Sequence, residues 1–124
     1  MPDKLDIAGL PTANFDEKAV IFLKDEPADV AYVLIDGEVA IMGPNAEGVL
    51  VALTTIKPGE MFGEMALLAN SNRTAMAVAE KASKCVVINR DALAREISKA
   101  DPFIRFWIAY MSDRLVDISK RAAK

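Results

Sequence analysis

The stretch VAYVLIDGEVAIM, residues 30–42, decides the fold class of this chain. Two runs rich in β-branched residues, VAYVLI (30–35) and EVAIM (38–42), flank the pair Asp36-Gly37. An Asp-Gly pair between two period-two apolar runs is the strongest short hairpin signal, because Gly accepts the positive φ of a type I′ turn. The same patterning continues outward through AVIFL (19–23) and VLVALTTI (49–56), both bounded by turn chemistry. GPNAEG (43–48) supplies a second, longer hairpin loop. Lys57-Pro58-Gly59-Glu60 fits a type II turn, with Pro fixing φ at the second position and Gly supplying φ > 0 at the third. Two further strands, TAMAVA (74–79) and KCVVI (84–88), are joined by the polar EKAS.

Beyond residue 88 the period becomes helical. Residues 90–99 predict a short helix with Asn89 or Asp91 near its start. Asp101-Pro102 opens a longer one, Asp as N-cap and Pro at the first helical position, where its missing N–H costs nothing. Residues 1–18 show little periodicity and read as an N-terminal arm. The expected class is therefore mainly β with α (α+β): an antiparallel β-barrel or double-stranded jelly roll over 19–88, with C-terminal helices over 89–124 packed at one end.

Composition bounds the chemistry. The chain has 124 residues, 52% of them hydrophobic and 27% charged, the balance of one globular domain with a real core. No apolar run approaches the roughly 20 residues of a membrane span. The start, MPDKLDIAG, lacks the basic and apolar segments of a secretory signal. A single cysteine, Cys85, cannot form an internal disulfide, so the cytoplasm is the expected location. Residues 1–80 hold 5 basic and 13 acidic side chains, whereas residues 81–124 hold 10 and 5. An acidic body with a mixed-charge helical tail argues against direct nucleic-acid binding. Histidine is absent, which removes His-based acid–base catalysis and His-containing metal sites. The acids show no paired-carboxylate spacing, so neither catalytic residues, nor a metal site, nor a cofactor is expected.

One segment fits neither a core nor a surface loop: FGEMALLANSNRTAMAV, residues 62–78. Gly63 permits close backbone approach, and Glu64–Leu68 can form one helical turn whose free N–H groups suit an anion. The polar ANSN (69–72) leads to Arg73, whose planar fork of donors matches a phosphate. Glu64 is an acceptor, suited to a sugar hydroxyl. Sugar and phosphate recognised within about ten residues indicate a nucleotide. The alternative is that Glu64 and Arg73 pair with each other or with neighbours, as a partly buried ion pair inside a turn.

At these residues the chain resembles the cyclic-nucleotide-binding domain family. Phe62-Gly63-Glu64-Met65-Ala66-Leu67 and Arg73-Thr74-Ala75 match the family's phosphate-binding cassette, which would occupy residues 62–75. EPADVAYVLIDGEVAI (26–41) is similar to its strand–turn–strand pattern, and Arg90-Asp91-Ala92-Leu93 to the start of its hinge helix. The resemblance implies a ligand, cAMP or cGMP, bound by Phe62, Gly63, Glu64, Met65, Ala66, Arg73, Thr74 and Ala75. Arg73 would contact the cyclic phosphate and Glu64 the ribose 2′-hydroxyl. The N–H groups of Ala66 and Thr74 would complete the phosphate cradle. Thr74 stands where a hydroxyl is associated with guanine-selective members, although Thr is also simply a good strand residue. Two departures stand out: Asp25 replaces the family's usual Gly in what reads as a surface turn away from the ligand, and Asn72 replaces a frequent Pro.

The resemblance also implies that the helices after the barrel move on binding and that the last can cap the base, with Ile118 and Ser119 as the expected contacts. In that helix Ile104, Ile108, Met111, Leu115 and Ile118 form one apolar stripe, which Phe103, Phe106, Trp107 and Tyr110 widen. So broad an arc fits either two partners, including a second copy in a homodimer, or a helix sunk into its own core. No recognition helix or kinase signature is present in the sequence. The expected function is a cyclic-nucleotide sensor without enzymatic activity. Its rivals are a ligand-free interaction module on the same fold and the regulatory fragment of a larger transcription regulator.

Overall fold

A computed structural model describes residues 9–69 and 71–122, with side chains given at 9–67, 71–111, 113 and 114. Eight strands precede and surround one short helix, and two longer helices follow: β1 Thr12–Phe15, β2 Val20–Phe22, β3 Val30–Asp36, β4 Val39–Pro44, β5 Leu50–Ile56, β6 Met61–Phe62, α1 Glu64–Ala69, β7 Met76–Ala79, β8 Ser83–Asn89, α2 Arg90–Ser98 and α3 Pro102–Ala122. The strands form two antiparallel four-stranded sheets, ordered β1-β8-β3-β6 and β2-β7-β4-β5. The architecture is the two-sheet jelly roll of the expected alternatives, not one closed barrel.

The hairpin expected at Asp36-Gly37 is not formed. Strand β3 pairs with β6 and β8, whereas β4 pairs with β5 and β7, so the turn carries the chain from one sheet to the other. Gly37 does take positive φ, +107°, but the corner it makes packs on the β7–β8 connection. A Cβ there would lie 2.6 Å from the Ala82 carbonyl oxygen and 2.7 Å from Ser83 Cα. Ser83 Oγ accepts from the Glu38 N–H at 3.2 Å and donates to the Lys81 carbonyl at 2.7 Å, and the Glu80 N–H donates to the Glu38 carbonyl at 2.9 Å. Two sheet-to-sheet corners are thereby buttoned together. Leu34 before the corner and Val39 after it are both fully buried, facing one core from the two sheets.

The other two turns follow the sequence reading. β4 and β5 form a hairpin across 43–48, closed by the Asn45 N–H to the Val49 carbonyl at 2.8 Å. Gly59 has φ +92° and the Glu60 N–H donates to the Lys57 carbonyl at 3.0 Å, as a type II turn requires. The expected arm needs correcting. Its residues 12–15 form β1, an edge strand registered from Thr12 opposite Val86 to Phe15 opposite Ser83. TANF carries only one β-branched residue, too weak a signal to read as a strand, yet Phe15 packs edge-on to Tyr32 at 6.0 Å. Residues 1–8 lie outside the described residues.

The core gathers Phe22, Leu34, Val39, Ile56, Phe62, Ala77 and Cys85 from both sheets. Burying each large apolar side chain contributes about 1.5–3 kcal/mol. Tyr32 stacks on Phe62 with centroids 5.1 Å apart, and α1 packs on β3, the strand that carries Tyr32. Asn89 caps α2, its side chain accepting from the Ala92 N–H at 2.7 Å. Asp101 caps α3 through the Phe103 N–H at 2.9 Å. Helix α3 lies beside α1, and its residues 102–111 are all exposed, so that stretch is not sunk into the core.

Candidate functional site

Gly63, with φ +79°, breaks β6 and turns the chain into α1, whose residues Ala66 and Leu67 are buried against the sheet. The chain then returns through Ser71 and Asn72 to Arg73, ahead of β7. This excursion roofs a cleft of about 220 Å³. All eight residues expected at the site line it: Phe62, Gly63, Glu64, Met65 and Ala66 from the β6–α1 side, and Arg73, Thr74 and Ala75 from the return. Phe22 of β2, Ile41 of β4, Thr54 and Ile56 of β5 and Met61 complete the wall. None of these five was singled out from sequence, because each comes from a strand whose local pattern says only that it is a strand.

Arg73 is the centre of the site. Its side chain is buried, with the residue only 4% exposed. Nη1 donates to the Gly63 carbonyl at 2.7 Å and Nη2 to the Val30 carbonyl at 2.6 Å. The guanidinium carbon sits 4.1 Å from the centroid of the Phe22 ring, a cation–π contact. Nε is buried without a hydrogen-bond partner. Among the described residues no carboxylate lies within 4.0 Å of this guanidinium, so the Glu64–Arg73 ion pair is not formed. Burial pushes the Arg73 pKa down, opposed by Tyr32, Asp29 and Glu26. A buried charge is normally paired or neutralised. Here, among the described residues, two neutral carbonyls and a ring face meet it, which leaves the cleft wall with a net positive centre.

Gly63 is required twice over. Its positive φ disfavours any side chain, and a Cβ would fall 2.6 Å from Arg73 Nη1. Glu64 is half-buried on the same wall and Thr74 is exposed at the rim. The backbone of Arg73 is also fixed, donating to the Glu26 carbonyl at 2.8 Å and accepting from the Asp25 N–H at 2.8 Å. Pro27 and Asn72 bridge beside it. The turn at Asp25 is therefore not remote from the site: it takes φ +73°, a left-handed conformation natural to Gly, and it braces Arg73 directly. A second arginine, Arg90, holds the far end of α1, with Nη1 to the Leu67 carbonyl at 2.8 Å and Nη2 to the Ala28 carbonyl at 2.9 Å. From sequence it was only the first residue of a helix. The side chains of Ile118 and Ser119, the expected base contacts, lie outside the described residues.

Comparison with known proteins agrees with this geometry. Residues 12–100 match the model of the cyclic nucleotide-binding domain. A cAMP-dependent protein kinase regulatory subunit of Dictyostelium discoideum is 27% identical over 99 residues, covering 77% of this chain and 30% of that protein. A CRP-like cAMP-activated global transcriptional regulator of Mycobacterium tuberculosis is 32% identical over 84 residues, covering 68% of this chain and 38% of the regulator. The chain thus spans well under half the length of either relative. Among solved structures, the half-site-occupied form of the EAL enzyme Bd1971 superposes with a TM-score of 0.78 at 25% identity, covering 90% of this chain and 99% of that one. The same enzyme has been solved in cAMP-bound and cGMP-bound forms, which superpose with TM-scores of 0.74 and 0.73 at 26% identity, each covering 30% of the enzyme chain and, in turn, 91% and 90% of this one. With most of its length matched by the family model, the chain belongs to the cyclic nucleotide-binding domain family.

Proposed function

We propose that this domain is a sensor of cyclic nucleotides, cAMP ahead of cGMP, and that it carries out no covalent chemistry and needs no cofactor. The observation that carries the reading is the Arg73 guanidinium, buried beside the cleft with no carboxylate partner among the described residues. A cyclic phosphate supplies the missing negative charge, and the planar fork of donors fits its exocyclic oxygens. Glu64 on the same wall accepts from the ribose 2′-hydroxyl, and Thr74, which lines the cleft at its rim, contacts the base. The names of the two relatives, one cAMP-dependent and one cAMP-activated, support the preference for cAMP.

Binding at the cassette moves α1, and α2 and α3 follow, since α3 lies beside α1. The exposed Phe103, Phe106, Trp107 and Tyr110 favour pairing with a second copy through α3. No direct nucleic-acid contact by this domain is part of the proposal, and its expected location is the cytoplasm. Among the described residues no helix is long and apolar enough to cross a membrane. The same aromatic face favours a second reading, a ligand-free module that recruits a partner through α3. A thermal-shift titration separates the two readings. The sensor is stabilised by cAMP or cGMP, and the module shows no shift at millimolar nucleotide.

A further inference from the structure

Two arginines tie the same two pieces of chain together. Arg73 joins Gly63, just ahead of α1, to Val30. Arg90 joins Leu67, in the last turn of α1, to Ala28. Helix α1 is thus strapped at both ends to the segment 28–30. The straps are not equivalent, because the Arg73 guanidinium belongs to the cleft while Arg90 is the first residue of α2.

The Arg90 strap is chemically well placed. The carbonyls of a helix's last turn are orphan acceptors carrying partial negative charge, which a guanidinium satisfies. The Ser71 N–H, the helical partner expected for Leu67, instead donates to the Ala66 carbonyl at 3.0 Å, which leaves the Leu67 carbonyl to Arg90. The start of α2 is itself anchored, because Asn89 is registered opposite Val30 in the sheet and caps the helix. Arg90 therefore joins the end of α1 to an α2 whose start is fixed to the sheet.

We propose that Arg90 is the positioning residue that couples the cleft to α2. When an anion draws the Arg73 donors away from the carbonyls of Gly63 and Val30, the strap ahead of α1 is released and the Arg90 strap becomes the pivot. Helix α1 swings about it, and the load passes through the Arg90 side chain into the first turn of α2. The anion step rests on the reading of the cleft given above, but the mechanical link does not, since removing the Arg73 side chain releases the same strap without any ligand.

The test is a variant cycle on the ligand-free chain read by amide hydrogen exchange: parent, Arg73→Ala, Arg90→Ala and the double variant. Loss of the Arg73 strap is expected to raise exchange across residues 90–98 about fivefold in the parent background and to leave it unchanged in the Arg90→Ala background. A merely structural Arg90 would give additive effects. An equal response in both backgrounds, or no response in either, overturns the proposal. If Arg73→Ala does not fold, Arg73→Lys, which cannot span both carbonyls, takes its place and is judged by the same criterion. Calorimetry with cAMP and cGMP on the parent decides the reading of the cleft separately. If the parent binds, Arg90→Ala must still bind while losing the nucleotide-induced change in α2 exchange, and retention of that change contradicts the coupling. If the parent binds neither nucleotide, the sensor reading fails and the ligand-free cycle alone decides the role of Arg90.

Discussion

The Gly63 carbonyl and the Arg73 guanidinium meet at 2.7 Å across a backbone that only glycine holds comfortably. Ten residues separate them in sequence, and the excursion between them contains α1. The pair closes the base of the cassette and orients the cation toward the cleft. Gly63 thus acts on the site through its missing side chain as much as through its carbonyl.

Replacing Gly63 by Ala puts a methyl 2.6 Å from Nη1 and a side chain at φ +79°. The strain is expected to cost about 1–2 kcal/mol of stability. Nucleotide affinity should fall further than stability alone explains, because the added methyl crowds both the guanidinium and the Phe22 ring on the cleft wall. Parallel denaturation and calorimetry check both. Full affinity in a variant with lowered stability would dissociate Gly63 from the site.

The role proposed for Glu64 is to accept from the ribose 2′-hydroxyl. Glu64→Ala is expected to weaken cAMP binding by about 1.5–3 kcal/mol, the range of a hydrogen bond to a charged acceptor. Against 2′-deoxy-cAMP the parent and the variant should bind alike, since the hydroxyl that Glu64 accepts from is missing. An undiminished penalty with the deoxy ligand would mean that Glu64 acts through folding and not through the sugar.

How much of this was legible in the sequence follows from the range of the interactions. Each of β3, β4, β5, β7 and β8 imprints a local period of two, so their positions could be read directly. Asp36-Gly37 could not be read correctly in the same way. A positive φ serves a hairpin and a sheet-to-sheet corner equally, and the distinction lies with Ala82 and Ser83, about 45 residues away. Edge strand β1 stayed hidden because its four residues bury little. In the site, Glu64 and Arg73 stood out because the cassette is contiguous. Phe22 beneath Arg73, the Val30 carbonyl, the Asp25 brace and the Arg90 strap all come from distant segments, and no local pattern marks their contacts with Arg73 and α1.

The buried thiol gives a pH dependence. Burial raises the Cys85 pKa from 9.0 to about 11, so folding favours the neutral thiol. That contribution is fully present below pH 9, where the unfolded thiol is also protonated, and is lost as pH rises toward 11. The loss is on the order of 2 kcal/mol. Other groups titrate in this window, so the measurement is the stability of the parent minus that of Cys85→Ala across it. A flat difference contradicts the assignment.

The central claim is that the unpaired Arg73 charge exists for a cyclic phosphate, and calorimetry of the parent and Arg73→Ala with cAMP and cGMP tests it most directly. The parent is expected to bind cAMP saturably at one site, and the variant to lose at least about 2 kcal/mol, roughly thirtyfold in affinity. A variant that binds both nucleotides as tightly as the parent, or a parent that binds neither, would contradict it.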